Sequence, residues 1–455
     1  MQAGVHNAVS RQRFRATMKH VLIVTYYFPP SGGPGVQRVL KFTRYLLDFG
    51  WRPVILTVKD ADYPARDESL LKDIPSEAIV YRTAIREPYD LYRKFTGKKK
   101  GTPVDVNTIP KPGERRSFQE WLAELVRATL FIPDARIGWL KPAVAQGLEA
   151  IREHDIQAIY SSSPPYTCSL IARRLKRETG LPWVAGFRDP WTGFLSAPKR
   201  WFLPAAIDRH MERSVFAECD RMDVAWEGIL KDFHTKYPDI PTDKVHHLPN
   251  GFDSKDFPTV EVMDREHFTV TYTGSMYGKR NPEVFLTAVA QLVEAGKVAV
   301  GDLRLQFIGR FGAEVRAMFE HPLLRDSIVL REYMPHADSV RHLFQSDALL
   351  MVVDDFQGNE EIVPGKVYEY MGSGKPIITL APEGAVTRVI EETRSGRCAR
   401  SQDVAGIADI VLDYYRQWKE GRLGLEQRRE LVTPFERREV TRRLAALLDE
   451  LVAMR

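Results

Sequence analysis

The residues best placed to do chemistry lie in EIVPGKVYEYMGSGKPII, residues 361–378. Two glutamates, Glu361 and Glu369, stand there with seven residues between them, and Pro364, Gly365 and Lys366 occupy the middle. Proline suits a first helical position, because its missing N–H costs nothing there. The spacing therefore predicts a short helix that starts at this Pro-Gly-Lys. Free N–H groups at a helix start bind anions, so Gly365 and Lys366 can hold a phosphate. Glu369 follows Lys366 by three residues and shares its helix face. A carboxylate there can grip a ribose diol. This is half of a nucleotide site.

Other candidates sit where strands are expected to end. TGSMYGKR (273–280) brings Gly274 and Ser275, which permit close backbone approach, and then the cations Lys279 and Arg280. Paired cations suit a diphosphate in a chain with no P-loop sequence. Arg310, after Phe307-Ile308-Gly309, is a third candidate cation or a surface charge. Tyr333 and Met334 open YMPH, where backbone groups can read a base edge and the tyrosine can stack on it; His336 in the same stretch reads as structural. Nearer the N-terminus, SGGPG offers Gly33 and Gly35, whose bare backbone can approach a ligand. This loop lacks the third glycine of a dinucleotide fingerprint, with Arg38 in its place, so a nicotinamide or flavin cofactor is not expected. SSSPP contributes Ser163, and FRDPW contributes Arg188, Asp189 and Trp191, the last as a sugar-stacking plate. The acid pair Asp354-Asp355 lacks spaced partners and reads as a loop rather than a metal site.

The elements that must position these residues follow from hydrophobic pattern. HVLIVTYY (20–27) is an apolar, β-branched run of the buried parallel type. A glycine loop, an amphipathic helix over 36–49 ending at Gly50, and a second strand over 53–58 come next. That is the opening of a doubly wound α/β domain. Helices are expected over 118–130, 142–154 and 167–179, with strands over 158–165 and 182–191. The pattern restarts with strands over 268–275, 303–310, 327–334 and 348–355, and helices over 281–295 and 337–345. A long amphipathic helix over 433–454 closes the chain. In open parallel sheets, ligands bind beyond the carboxyl ends of the strands, which is where the candidate residues fall.

Composition bounds the answer. A chain of 455 residues has room for two or three domains. With 44% hydrophobic and 27% charged residues it is ordinary globular material, so wholesale disorder is excluded. No apolar run approaches the roughly 20 residues that span a bilayer. Three scattered cysteines argue against a disulfide framework or zinc site and suit a reducing cytoplasm. Residues 1–18 carry arginines but no apolar core, so they read as a disordered tail rather than a secretory signal. Residues 91–116 hold eight Lys/Arg against Asp105 and Glu114. That segment, beside Trp121, can dock on an anionic membrane or stand as a solvated loop. Nucleic-acid binding would need a wider basic face.

These motifs resemble the family 4 retaining glycosyltransferases of GT-B architecture, in a bacterial surface-polysaccharide subgroup, over nearly the whole chain. The resemblance rests on the Glu–seven–Glu motif, its MGSGKPII exit, TGS with Lys279 and Arg280, FPPSGGPGVQR (28–38), NGFD (250–253), SSSPP and FRDPW. It implies an α/β fold of two Rossmann-like parallel-sheet domains facing across a cleft. The acceptor-side domain would cover 19–255, the nucleotide-sugar domain 256–425, and a C-terminal helix in 426–455 would pack back on the first domain. It implies a sugar moved from a nucleotide diphosphate sugar to an acceptor hydroxyl on a glycan or polyprenol-linked glycan. Retention of configuration, no metal and no cofactor beyond the donor go with it. So does a cytoplasmic location, peripheral at the inner membrane face. Glu369 would bind ribose, the amides near Gly365 and Lys366 the diphosphate, and Lys366 and Arg280 would stabilise the leaving group. Where many members carry a Gly-Phe-Gly type stretch, this chain has Ile362-Val363-Pro364-Gly365-Lys366, and Glu360 competes with Glu361 for the sugar. Arg188-Asp189 takes the strand exit where members carry a histidine–acid pair, and Asp189 would orient the acceptor or take its proton. Two other classes fit the architecture: a sugar-nucleotide epimerase, and a non-catalytic binding subunit.

Overall fold

A computed structural model describes residues 18–59, 61, 63, 65–85, 125, 128–129, 131–193, 200–259, 266–278, 280–354, 360–424 and 429–455. The tail before residue 18, the basic segment 91–116, Lys279 and Asp355 lie outside the described residues. The chain divides into two compact units, one of residues 1–249 and 440–455, the other of residues 250–439. The expected boundaries lay at 255 and 426.

The first unit is a seven-stranded parallel sheet in the order β3-β2-β1-β4-β5-β6-β7. Its strands are β1 (Lys19–Thr25), β2 (Trp51–Val58), β3 (Ile79–Thr83), β4 (Ile156–Ser163), β5 (Trp183–Phe187), β6 (Arg221–Val224) and β7 (Val245–His247). β1 is central and its run Val21–Val24 is wholly apolar because both faces are covered: these residues are 0% exposed. The helix Pro34–Tyr45 follows it, passes into a 3₁₀ turn, and stops at Gly50, whose φ of 78° is the left-handed value a C-terminal glycine supplies. The closing helix, Arg437–Ala453, packs Val440, Leu444, Leu448 and Leu451 into the core formed by Val21, Ile23, Val39 and Trp51.

The second unit is a six-stranded parallel sheet in the order β10-β9-β8-β11-β12-β13. Its strands are β8 (Phe268–Thr273), β9 (Leu303–Ile308), β10 (Ile328–Arg331), β11 (Ala348–Val352), β12 (Ile377–Leu380) and β13 (Gly396–Ala399). In each sheet the order reverses beside the first strand of the unit, between β1 and β4 and between β8 and β11. Chains leave such a switch point in opposite directions and open a crevice there. The SGGPG loop follows β1, and TGS ends β8, so both glycine turns lie at a switch point.

Several elements escape the sequence pattern, among them the helix Phe202–Glu218, β6 and β13. The helix buries Asp208 and Glu212 while exposing Phe202, Leu203 and Ile207, the reverse of a normal amphipathic pattern. β6 is four residues long and carries Asp223 at 0% exposure. Arg38 reaches Asp223 from the helix Pro34–Tyr45, at 2.7 and 2.9 Å, and Tyr160 donates to the same carboxylate at 2.8 Å. A buried charge is tolerable only when so paired. Arg38 is thus a core residue tying helix, β4 and β6 together. No described helix is long and apolar enough to cross a membrane.

Candidate functional site

The second unit gathers most of the candidates at the carboxyl end of its sheet. The backbone turns sharply after β8. Gly274 has φ 122° and donates its N–H to Ile308 O at 2.8 Å. Gly309, after β9, has φ 149°, and a Cβ there would lie 1.9 Å from Gly274 O. Two side-chain-free residues therefore let the two strand exits pack backbone on backbone. Two tyrosines fix the turn. Tyr370 hydroxyl accepts the Thr273 N–H at 2.8 Å, and Tyr272 hydroxyl donates to Ser275 O at 3.0 Å.

Lys366 enters this corner from the helix Gly365–Ser373. Its ammonium sits 4.1 Å from the centroid of the Tyr272 ring and 3.5 Å from Thr273 O. Enclosure pushes its pKa down to about 7; Arg280 adds to this, and Asp354 opposes it. A cation held by a π face and one carbonyl is weakly compensated, and an anion arriving at the Gly274 turn would complete it. Arg280 pairs with Asp354 at 2.5 Å, while its Nε is buried without a hydrogen-bond partner among the described residues. Pro364 is the residue before the helix, extended at ψ 141°, rather than its first turn. The correction moves the helix start by one residue, and Gly365 and Lys366 remain in the first turn with their N–H groups.

The rest of the second-unit set falls into two pairs and a tether. The Arg310 guanidinium stacks on Tyr333 at 4.8 Å, and Tyr333 is 68% exposed, its ring available as a platform. His336, at the start of the helix His336–Phe344, bonds Glu369 with 2.7 Å between Nε2 and Oε1. Met334, next to Tyr333 in the chain, is half-buried. Glu361 is bridged to Arg388 at 2.9 Å, and Glu360 O caps the helix Ala385–Glu392 by accepting Ala385 N–H at 2.6 Å. The segment before Pro364 is thus tethered to its neighbour.

The first unit places its candidates less favourably. Ser163 is 0% exposed and bonded to Ser169 at 2.8 Å. Trp191 is 3% exposed, stacked on Tyr166 at 4.7 Å, and donates its indole N–H to Asp208 at 2.8 Å. Ser163 and Trp191, the candidates for acceptor contact, are thus buried in the first unit with their polar groups engaged by Ser169 and Asp208. Gly33 is exposed with φ 87°, a left-handed value that explains its lack of a side chain. Gly35 is needed for a different reason, since a Cβ there would come 2.7 Å from Arg188 Nη1. Arg188 is also bonded to Pro164 O. Asp189 beside it is half-buried; burial pushes its carboxyl above the usual range, and Arg188 opposes this.

Sequence reasoning passed over the supports. Tyr272 and Tyr370 are absent from the candidates, and His336 reads as structural. A usable signal was position: each lies at or beside a strand exit, or on the helix carrying Glu369. Among the described residues no group of three or more His, Cys, Asp or Glu side chains could hold a metal.

Two family models match the chain. One, described as glycosyl transferases group 1, matches residues 267–417; the other, glycosyltransferase family 4, matches residues 33–256. No curated protein matches it in sequence. Among solved structures, the sucrose-phosphate synthase of Thermosynechococcus elongatus is similar, at 12% identity and TM-score 0.58, over 96% of this chain and 100% of that one. Anabaena HepE in complex with UDP and glucose matches at 13% and 0.55, over 95% and 99%. The N-terminal domain of the Candida albicans trehalose-6-phosphate phosphatase matches at 11% and 0.58, over 95% and 97%. At such identities these structures speak for the fold.

Proposed function

The chain is a glycosyltransferase of the family 4 type, and on that premise we propose that residues 274–280 and 365–369 bind the donor, a nucleotide diphosphate sugar. The observation that carries this reading is Lys366, weakly compensated on the Tyr272 face and set against the Gly274 turn at the sheet's switch point. The helix N–H groups of Gly365 and Lys366, with Arg280 and Lys279, take the diphosphate. Glu369 takes the ribose diol. Tyr333 on Arg310, with Met334 beside it, takes the base.

In the reaction the bond from the anomeric carbon to the diphosphate oxygen breaks, and a bond to the acceptor oxygen forms on the same face. The hydroxyl proton leaves to a base, for which Asp189 is the candidate. Its raised pKa makes it a better proton acceptor than an ordinary carboxylate. Negative charge grows on the departing diphosphate, and Lys366 and Arg280 are placed to meet it. Side-chain cations and helix amides do this without metal. Arg188 and Gly33 remain candidates for acceptor and donor contact. Glu361 is a candidate for the sugar only if Arg388 releases it.

The test is a panel of UDP, GDP, ADP and their sugars, read first by thermal shift and then by turnover with and without EDTA. One nucleotide family should stabilise the protein, and its sugar should be transferred with EDTA present. Turnover lost to EDTA and restored by magnesium would overturn the metal-free account; epimer formation without diphosphate release would overturn the transfer itself. We further propose a glycan or polyprenol-linked acceptor, reached in the cytoplasm at the inner membrane face by docking of residues 91–116. Co-sedimentation with anionic vesicles at low salt should detect that docking, and its absence removes the membrane arm.

A further inference from the structure

We infer that His336 is a positioning residue for donor recognition: its imidazole sets the Glu369 carboxylate so that the enzyme distinguishes ribonucleotides from deoxyribonucleotides. The inference rests on the donor-site reading above, in which Glu369 meets the ribose.

The two residues come from different β–α units. His336 is the first residue of the helix that follows β10, and Glu369 is mid-way along the helix that follows β11. They meet with 2.7 Å between Nε2 and Oε1. An ionised carboxylate only accepts, so Nε2 carries the proton and donates it. A purely structural role fits the pair poorly. The His336 side chain is 63% exposed and that of Glu369 33%, and solvent-screened pairs of this kind contribute little to stability. What the contact does accomplish is to fix a flexible side chain. Glutamate has three rotatable bonds, and ordering it on ligand binding costs conformational entropy. With one oxygen held from the side of β10, the carboxylate plane is set before the nucleotide arrives. Lys366 lies one turn earlier on the same helix, and Tyr333 three residues before His336. Phosphate, ribose and base contacts thus come from two short segments that the His336–Glu369 bond links directly.

The test compares binding of UDP, GDP or ADP, whichever the wild type prefers, with its 2′-deoxy form by calorimetry. The wild type should favour the ribo form by ~10-fold or more, the size of one lost charge-assisted hydrogen bond. In His336→Ala the ratio should fall to within about twofold of unity, because a mobile carboxylate loses the geometry that reads the diol. Donor KM should rise while kcat at saturation holds. His336→Gln, which keeps a donor at similar reach, should recover the ratio. Both residues are exposed enough that folding is not at stake, and unchanged melting temperatures would verify it. An alanine variant that keeps the wild-type ratio overturns the role of His336, with the donor site intact. A wild type that binds its nucleotide but ignores the 2′-hydroxyl removes the premise that Glu369 meets the ribose, and the inference with it.

Discussion

Lys366→Met should lower kcat by ~100- to 1,000-fold at saturating donor, the range for loss of one preorganised group aimed at developing charge. The ammonium's partners are the Tyr272 ring and Thr273 O, and Arg280 beside it raises its cost rather than lowering it. Arg280 itself is partly neutralised by Asp354. Lys366 is thus the less compensated of the two cations, and it gains most when negative charge grows nearby. Methionine keeps the apolar stem on the tyrosine face, so the loss reports charge rather than packing. Loss of less than tenfold in single-turnover rate would show that the leaving group is stabilised elsewhere.

The same residue makes donor binding pH-dependent, with a definite sign. In the free protein Lys366 loses its proton around a pKa of about 7. A bound diphosphate favours the charged form and raises that pKa. Between the two values the complex holds more protons than the free protein, so affinity falls as pH rises above about 7. Below that value lysine is charged in both states and affinity is flat. Calorimetry in two buffers of different ionisation enthalpy should register proton uptake on binding at pH 8, and Lys366→Met should abolish it. Uptake that survives the substitution would assign the proton to another group.

The helix Thr167–Thr179 and β9 start where their periodicity puts them, because their apolar residues face one core and their ends carry ordinary stop signals. Periodicity fails where charge is buried. β6 hides behind Asp223, which is apolar in burial though not in chemistry, and its meaning depends on Arg38, 185 positions away. The helix Phe202–Glu218 turns Asp208 and Glu212 inward toward Arg200, Thr192 and Tyr237. No local rule anticipates partners that only the fold brings together. The site shows the same division. Lys366 and Glu369 are legible because helix spacing alone puts them on one face. The partners of Trp191 are not legible: Tyr166 and Asp208, which meet its face and its N–H, are contributed by other elements. His336 reads as structural in the sequence because its partner lies 33 positions on, in the β–α unit that follows along the chain.

Glu369→Ala should weaken nucleoside diphosphate binding by ~1.5–3 kcal/mol, the scale for hydrogen bonds to a charged group, or ~10- to 100-fold in Kd. The effect should be selective. Glu369 stands on the Lys366 face of the helix but one turn deeper, so its removal leaves the first-turn N–H groups and the lysine in place. Inorganic pyrophosphate, which has no ribose, should therefore bind the variant as well as it binds the wild type. Acceptor KM measured at saturating donor should also hold. The variant removes one acceptor of the His336 imidazole, and that side chain is exposed to water, so the melting temperature should move little. The comparison separates two accounts of the motif. If Glu369 reads ribose, the loss appears with nucleotides and not with pyrophosphate. If it instead supports the fold of the helix Gly365–Ser373, pyrophosphate affinity and stability fall together, and the assignment of the second glutamate to ribose is wrong.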